Sequence, residues 1–167
     1  MRYRLCTSNA GETAALGEAL GSACSGRLAL LLAGEYGSGK TTLIQGLARG
    51  LGITGAVRSP SYNILRVYAG GRLPLVHADL YRTHSLADIE ELGILDLLPD
   101  PGVLAVEWPG RLTEAGTGLP EIRIQFEYPQ PQGVQPDCGA STRLLEIQLD
   151  EICPSSVREV VIAAAAG

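Results

Sequence analysis

The sequence predicts an α/β layered fold, and three observations carry that prediction. First, Leu28-Ala-Leu-Leu-Leu-Ala33 is a short continuous apolar run, which is typical of a strand buried on both faces. Second, a glycine-rich loop follows this run, and residues 40–50 then show the leucine spacing of a helix that ends near Gly52. Third, two later apolar runs, at 73–79 and 102–107, each end in an acidic residue. Strand, loop, helix and further buried strands in this order are the pattern of an α/β protein.

The remaining elements follow in chain order from apolar spacing and turn residues. A helix is predicted from just after Asn9 to near Gly21, and another is headed by Ser85, with Asp88 completing an imperfect capping box. A Gly-Gly turn at 70–71 joins the predicted strands at 63–68 and 73–79 into a hairpin, and the last two predicted strands form an antiparallel pair. Residues 129–141, rich in Pro, Gln and Gly, are predicted to be a surface loop. Besides the strand at 28–33, strands are predicted at 2–6, 63–68, 73–79, 102–107, 121–128 and 143–150.

Length and composition predict one globular domain over residues 1–167. The chain is 46% hydrophobic and 19% charged, which is typical of a protein with a packed core rather than of a disordered one. Its net charge is −5, whereas a dedicated nucleic-acid binder normally carries a basic surplus. We therefore expect no direct binding of DNA and no tight direct binding of RNA.

The chain start and the cysteines bear on where the protein works. Residues 1–6 lead into a polar stretch and not into an apolar signal core, and no uncharged apolar run approaches the roughly 20 residues of a membrane helix. The four cysteines show no CxxC spacing, which argues against a zinc knuckle or a thioredoxin-type motif. We expect a cytoplasmic protein with free thiols and no membrane contact.

The most specific motif is Gly34-Glu-Tyr-Gly-Ser-Gly-Lys-Thr-Thr42, which fits the phosphate-binding pattern GxxxxGK[ST] between a predicted strand and a predicted helix. Glycines let consecutive backbone N–H groups surround an anion, and the helix adds its positive dipole end. Lys40 can reach the β- and γ-phosphates, and the Thr41 hydroxyl suits a Mg²⁺ ligand. The candidate nucleotide-binding residues in this loop are Gly34, Tyr36, Gly37, Ser38, Gly39, Lys40, Thr41 and Thr42.

Lysine usage strengthens the prediction of a phosphate site. The chain has 13 basic residues, and Lys40 is its only lysine, since the others are all arginine. Lysine therefore stands at the one position where a compact point charge serves a phosphate better than a planar guanidinium does.

Acidic residues end two predicted strands and are candidates for the second half of the site. Val103-Leu-Ala-Val-Glu107 ends in a carboxylate that Trp108 follows, and residues 75–79 end in Asp79. A P-loop NTPase needs a second Mg²⁺ anchor and a group that orients the attacking water, and which acid does the latter stays open. Strand alternation places His77 on the face of Asp79, where a hydrogen-bonded strand histidine is the simpler interpretation. His84 is expected to be exposed.

Four blocks of residues, taken in their order, resemble the TsaE (YjeE) family of bacterial tRNA threonylcarbamoyladenosine biosynthesis proteins. The resemblance covers most of residues 8–113, and HxDLYR followed by VEWP is much more specific than the phosphate loop alone. The third family position of SPT[FY] is Ser61 here, which keeps the hydroxyl and loses a methyl. The blocks are Gly34 to Thr42, Arg58-Ser-Pro-Ser-Tyr62, His77-Ala-Asp-Leu-Tyr-Arg82 and Val106-Glu-Trp-Pro109.

The resemblance implies a P-loop NTPase fold with a mostly parallel sheet flanked by helices, and an ATPase that uses ATP and Mg²⁺. Family members act with the TsaD and TsaB proteins, which modify adenosine 37 of tRNAs reading ANN codons, so tRNA would be met only through that complex. Lys40 and Thr41 would hold phosphates and Mg²⁺, with Glu107 as the metal-side acid and Asp79 as the other essential carboxylate. Trp108 would lie beside the nucleotide, and Ser59 and Pro60 resemble a switch segment that responds to nucleotide or partner.

Other functions remain as alternatives. A nucleotide-dependent clamp or assembly factor for the same complex would bind ATP with slow or incidental hydrolysis. A small-molecule kinase usually needs an arginine-rich lid, and residues 80–100 supply only Arg82. A GTPase is disfavoured because the chain contains no NKxD motif. Arg82 could stabilise transition-state charge or simply pair with an acid.

Overall fold

The computed structural model of the chain describes residues 1–60, 63–128 and 142–166. Within these ranges the sheet has seven strands, and helices lie on both of its faces. The strands are β1 (Arg2–Thr7), β2 (Leu28–Gly34), β3 (Leu65–Tyr68), β4 (Leu75–Asp79), β5 (Val103–Glu107), β6 (Glu121–Glu127) and β7 (Arg143–Leu149). The helices are α1 (Ala10–Ala23), α2 (Lys40–Gly50), α3 (Leu86–Glu91), α4 (Arg111–Ala115) and α5 (Ser155–Ala166).

The sheet is parallel at its centre and antiparallel at both edges. The strand order is β1-β7-β6-β2-β5-β4-β3, and the four central strands β6, β2, β5 and β4 run parallel. Strand β3 pairs antiparallel with β4, β7 with β6, and β1 with β7. The mostly parallel sheet and the antiparallel strand pair near the C-terminus are confirmed.

Parallel register brings three strand ends to one edge of the sheet. Glu107 at the end of β5 lies opposite Leu32 on β2 and opposite Asp79 on β4. The glycine-rich loop leaves β2 at the same edge. This carboxyl edge is where open α/β sheets bind their ligands.

Two apolar layers cover the sheet because the side chains of β2 are buried on both faces. Leu30 and Leu32 pack with α1, α2 and α5, whereas Leu31 packs with the layer of α3 and α4. The apolar run that predicted a doubly buried strand is therefore explained. No helix within the described ranges combines the length and apolarity that crossing a membrane would require.

Glycines bring the backbones of α1 and α2 into direct contact. A Cβ atom at Gly46 would collide with the carbonyl oxygen of Ala14, and one at Gly17 with the carbonyl oxygen of Leu43. Because α2 begins at the glycine-rich loop, this contact fixes the helix that carries the loop against the rest of the layer.

Side chains cap the starts of α1 and α3, and the cap of α3 at Ser85 and Asp88 was predicted from the sequence. The Asn9 side chain accepts a hydrogen bond from the Glu12 N–H, and Ser85 and Asp88 form a complete capping box. Helix α1 continues to Ala23, two residues beyond the predicted end, and Cys24 caps it.

The start of one strand and the presence of two helices differ from the sequence-based expectation. Ile64 has a φ of 62°, so the extended strand begins at Leu65 and not at 63. Helix α4 is too short to show a helical period in sequence, and α5 carries only two buried residues in an alanine-rich run, so neither was predicted. The predicted surface loop at 129–141 lies outside the described residues.

Candidate nucleotide-binding site

A cavity of about 270 Å³ lies at the carboxyl edge of the central strands. Every site residue predicted from the sequence except Gly34 lines it, together with Ser59 of the expected switch segment. The structure thus brings four separate sequence blocks to one place. The lining residues are Tyr36, Gly37, Ser38, Gly39, Lys40, Thr41, Thr42, Ser59, Asp79, Glu107 and Trp108.

The loop between β2 and α2 needs glycine for its geometry. Gly37 and Gly39 have φ values of 73° and 105°, in the left-handed region that side chains disfavour, and Gly39 is the residue from which α2 starts. Gly34 has a different role, since a Cβ there would lie 2.7 Å from the carbonyl oxygen of Phe126 on β6. Gly34 therefore allows close strand packing beneath the cavity.

Lys40 is the charged centre of the loop and is only 4% exposed. Its Nζ donates to the carbonyl oxygens of Gly34 and Glu35 at 2.9 and 2.7 Å and to Ser38 Oγ at 3.3 Å. Burial lowers the pKa of Lys40, while the charges of Glu107 and Asp79 raise it. In the described part of the chain no carboxylate lies within ion-pair distance of Nζ. The ammonium thus has neutral acceptors only, in a cavity lined by an amide-rich loop.

Glu107 joins the loop helix to the neighbouring strand. Its Oε1 accepts a hydrogen bond from Thr41 Oγ1 at 2.8 Å and lies 3.0 Å from His77 Nε2. Glu107 is 4% exposed and His77 is wholly buried. The sequence placed His77 on the face of Asp79, but its link to Glu107 depends on the order of β4 and β5 in the sheet.

Asp79 connects the end of β4 to the expected switch segment. Its Oδ2 accepts a hydrogen bond from Ser59 Oγ at 2.9 Å, and its Oδ1 accepts one from the Tyr81 N–H at 3.2 Å. The Asp79 carboxylate is thus hydrogen-bonded directly to the segment at Ser59.

Aromatic rings close one side of the cavity. The Trp108 ring centroid lies 4.1 Å from Lys40 Nζ, and Tyr81 packs on Trp108 edge-on at 5.1 Å. Trp108 has a φ of 55°, an unfavourable conformation for a large residue that is typical of functional sites. Tyr81 belongs to the sequence block from His77 to Arg82, but its contact with Trp108 was not predicted because it depends on β4 lying beside β5.

Arg82 and His84 lie outside the cavity. Arg82 is exposed and does not line the cavity. His84 is exposed as expected, and its backbone N–H donates to Asp88 of the α3 cap.

The oxygen atoms around the cavity suit a small hard cation. Thr41 and Glu107 together offer a hydroxyl and a carboxylate, which are ligands that Mg²⁺ prefers. Among the described residues there is no group of three or more His, Cys, Asp and Glu side chains placed to hold a metal. This donor set fits Mg²⁺ that shares its coordination with phosphate oxygens.

A parallel sheet, a glycine loop leading into a helix and a buried lysine at the strand ends define an α/β protein of the P-loop class. The family model described as "Threonylcarbamoyl adenosine biosynthesis protein TsaE" matches residues 7–135. The chain belongs to the TsaE family, as the resemblance in its sequence blocks indicated.

Relatives and a solved structure agree with this assignment. The Bacillus subtilis protein named tRNA threonylcarbamoyladenosine biosynthesis protein TsaE is 39% identical over 72% of this chain and 73% of its own length. The Synechocystis protein of the same name is 45% identical over 51% of this chain, and the match spans 56% of that relative's length. The crystal structure of Bacillus subtilis YdiB superposes with a TM-score of 0.70 and 27% identity, covering 98% of this chain and 96% of YdiB.

Proposed function

We propose that this protein binds ATP with Mg²⁺ and hydrolyses it slowly, as the ATPase of the machinery that makes N6-threonylcarbamoyladenosine at position 37 of tRNAs reading ANN codons. One observation carries the proposal, namely the buried Lys40 ammonium that has only neutral hydrogen-bond partners and lines an amide-rich cavity. A buried charge of this kind calls for an anion, and the loop geometry suits phosphate.

The residues of the cavity divide into binding and reacting groups. The backbone N–H groups of the loop and Lys40 would bind the phosphates, and Thr41 with Glu107 would hold Mg²⁺. When bound, Mg²⁺ supplies positive charge that neutralises the phosphate oxygens. Asp79 or Glu107 would orient a water molecule for in-line attack on the γ-phosphate, and Trp108 would shield Lys40 from bulk water.

The partners are proposed from family membership. The relatives named above are tRNA threonylcarbamoyladenosine biosynthesis proteins, and the resemblance implies action on a complex of TsaD and TsaB. We propose that this chain acts on that complex and meets tRNA only through it. The net charge of −5 supports this, because a direct tRNA binder would need a basic surface.

A second candidate, a nucleotide-dependent clamp with incidental hydrolysis, is favoured by the contact between Ser59 and Asp79. Ser59 Oγ and the Tyr81 N–H engage both oxygens of the carboxylate in this conformation. An acid held in this way links the cavity to the segment at Ser59 and Pro60, which is what a clamp requires.

Turnover measurements separate the two candidates. ATP hydrolysis is measured for the chain alone, with TsaD–TsaB, and with TsaD–TsaB and tRNA, using Lys40→Ala as the matched control. The proposal expects turnover near background for the chain alone, stimulation by the partners, and loss of the stimulated rate in the control. Binding of ATP by the wild type without turnover under any condition would exclude the ATPase and favour the clamp. Equal ATP affinity in the wild type and the Lys40→Ala variant, with equal turnover above background, would overturn both.

A further inference from the structure

His77 is a wholly buried polar side chain whose two ring nitrogens have different surroundings. Nε2 lies 3.0 Å from Glu107 Oε1, whereas Nδ1 is buried with no hydrogen-bond partner in the described part of the chain. A proton on Nδ1 would be a buried donor without an acceptor, which is costly. The proton therefore belongs on Nε2, and His77 donates to Glu107.

Both hydrogen bonds to Glu107 reach the same oxygen. Thr41 Oγ1 donates to Oε1 from one side and His77 Nε2 from the other, at 2.8 and 3.0 Å. Oε2 has no hydrogen-bond partner among the described residues, and Glu107 lines the cavity. The arrangement ties down one carboxylate oxygen and leaves the other for a ligand.

The two donors differ in how firmly they are placed. The Thr41 hydroxyl lies on the cavity wall and is itself a candidate metal ligand, so its position depends on what fills the cavity. His77 does not line the cavity, and its ring is enclosed within the sheet layer on β4. The imidazole is therefore the donor that keeps its place when the cavity is filled.

We propose that His77 is a positioning residue that fixes the Glu107 carboxylate so that Oε2 is presented to Mg²⁺ in the cavity. This inference rests on the proposed function, because it assigns a task to the acid on the metal side of the nucleotide. Partners that orient a metal ligand in this way typically change metal affinity or activity by about 10- to 100-fold when removed. His77 itself would touch neither the nucleotide nor the metal.

Two amide variants separate positioning from mere packing. The glutamine in His77→Gln can place an N–H group near the position of Nε2, whereas the shorter asparagine in His77→Asn cannot. The matched control is Thr117→Val, which also removes a buried donor to a buried carboxylate, Glu121, at the opposite edge of the sheet. Thermal unfolding of each variant gives the purely structural cost.

The decisive readout is binding of ADP by calorimetry, with Mg²⁺ and with EDTA. We expect His77→Asn to bind ADP like the wild type in EDTA and to lose about 10-fold or more of the gain in affinity that Mg²⁺ gives. His77→Gln and Thr117→Val should retain that gain to within about threefold. Equal gains in the two His77 variants would overturn the role of His77, whereas a wild type without any Mg²⁺-dependent gain would overturn the proposed function and this inference with it.

The hydrogen bond can be tested without nucleotide or variant. Two-bond ¹H–¹⁵N spectra of the imidazole distinguish a proton on Nε2 from one on Nδ1. We expect His77 to carry its proton on Nε2 in the free protein. A proton on Nδ1 alone would overturn the inference even if His77→Asn failed to fold.

Discussion

Two buried carboxylates, Glu107 and Glu121, lie at opposite ends of the parallel strands and have different partners. Glu121 is 3% exposed, and both of its oxygens are engaged: Oε1 by the N–H and hydroxyl of Thr117, and Oε2 by the guanidinium of Arg123. Glu107 is 4% exposed, but only its Oε1 is engaged, and it lines a cavity. Burial alone therefore does not distinguish the candidate site acid from the structural one; incomplete pairing beside a cavity does.

The electrostatics of the two clusters differ in the same way. Burial alone would raise the pKa of Glu121, but hydrogen bonds from Thr117 and Arg123 outweigh it and hold that pKa below its ordinary value. At the other cluster, burial lowers the pKa of Lys40, and the more distant charges of Glu107 and Asp79 only oppose that effect. The Glu121 cluster pairs its charges within its own chain, whereas the Lys40 ammonium donates only to neutral acceptors.

Removing the charge at each cluster should give the largest contrast. Lys40→Ala should weaken ATP binding by more than about a hundredfold, because charged hydrogen bonds to phosphate are lost, and should leave the fold intact. Arg123→Ala should leave ATP binding unchanged and lower the free energy of unfolding by about 1–3 kcal/mol. Calorimetry and urea unfolding measure the two effects. A folded Lys40→Ala protein with wild-type ATP affinity would contradict the comparison.

Changing each glutamate to glutamine should lower hydrolysis at Glu107 and stability at Glu121. Glu107→Gln should reduce Mg²⁺-dependent hydrolysis by about a hundredfold or more while the protein stays folded. Glu121→Gln should leave hydrolysis unchanged and cost about 1–3 kcal/mol of stability, because its amide would face Arg123 or Thr117 donor to donor. Asp79→Ala, the variant of the other candidate acid, should also fold and lose hydrolysis. Normal Mg²⁺-dependent rates in both the Glu107 and Asp79 variants would show that the acids are misassigned.

Lowering the pH should weaken the contribution of Glu121 to the stability of the fold. Its pKa in the folded protein lies below the ordinary 4.5, so its contribution to stability is present above that pH and is lost as the pH falls through the folded-state pKa. The difference in unfolding free energy between wild type and Glu121→Gln should therefore be constant near neutral pH and shrink below about pH 4.5. A difference that grew on acidification would refute this reading of the cluster.

The smallest effect is expected from thiols buried away from the cavity. Burial raises the pKa of Cys24 to about 12 and also raises that of Cys153, whereas Cys6 is exposed. Because the thiolate is the reactive form, iodoacetamide should modify Cys6 in the folded protein and the two buried thiols only after denaturation. Peptide mass mapping reads this directly. Equal labelling of Cys24 and Cys6 in the native protein would show that the apolar layer around Cys24, formed with α1, α2 and α5, opens readily.

The sequence predicted the parts of the site that are local in the chain. The loop from Gly34 to Thr42 and the strand that ends in Glu107 have patterns that are complete within a few residues. Ser85 and Asp88 likewise form a helix cap that three residues of spacing define. These features were predicted because the interactions that shape them lie within one segment.

What the sequence missed depends on neighbours in space or on burial. The contact between His77 and Glu107 requires β4 to lie beside β5, and the register that creates it is set by the whole sheet. The contacts among Thr117, Glu121 and Arg123 are local, but three ordinary polar residues in seven give no pattern until their burial is known. Helices α4 and α5 were missed because few of their residues are buried.

A crystal structure with a non-hydrolysable ATP analogue and Mg²⁺ tests the central claim most directly. The account predicts a triphosphate held by the backbone of residues 36–41, with Lys40 Nζ moved from the carbonyl oxygens of Gly34 and Glu35 onto phosphate oxygens. A loop without phosphate at saturating analogue, with Lys40 still on those carbonyl oxygens, would contradict it.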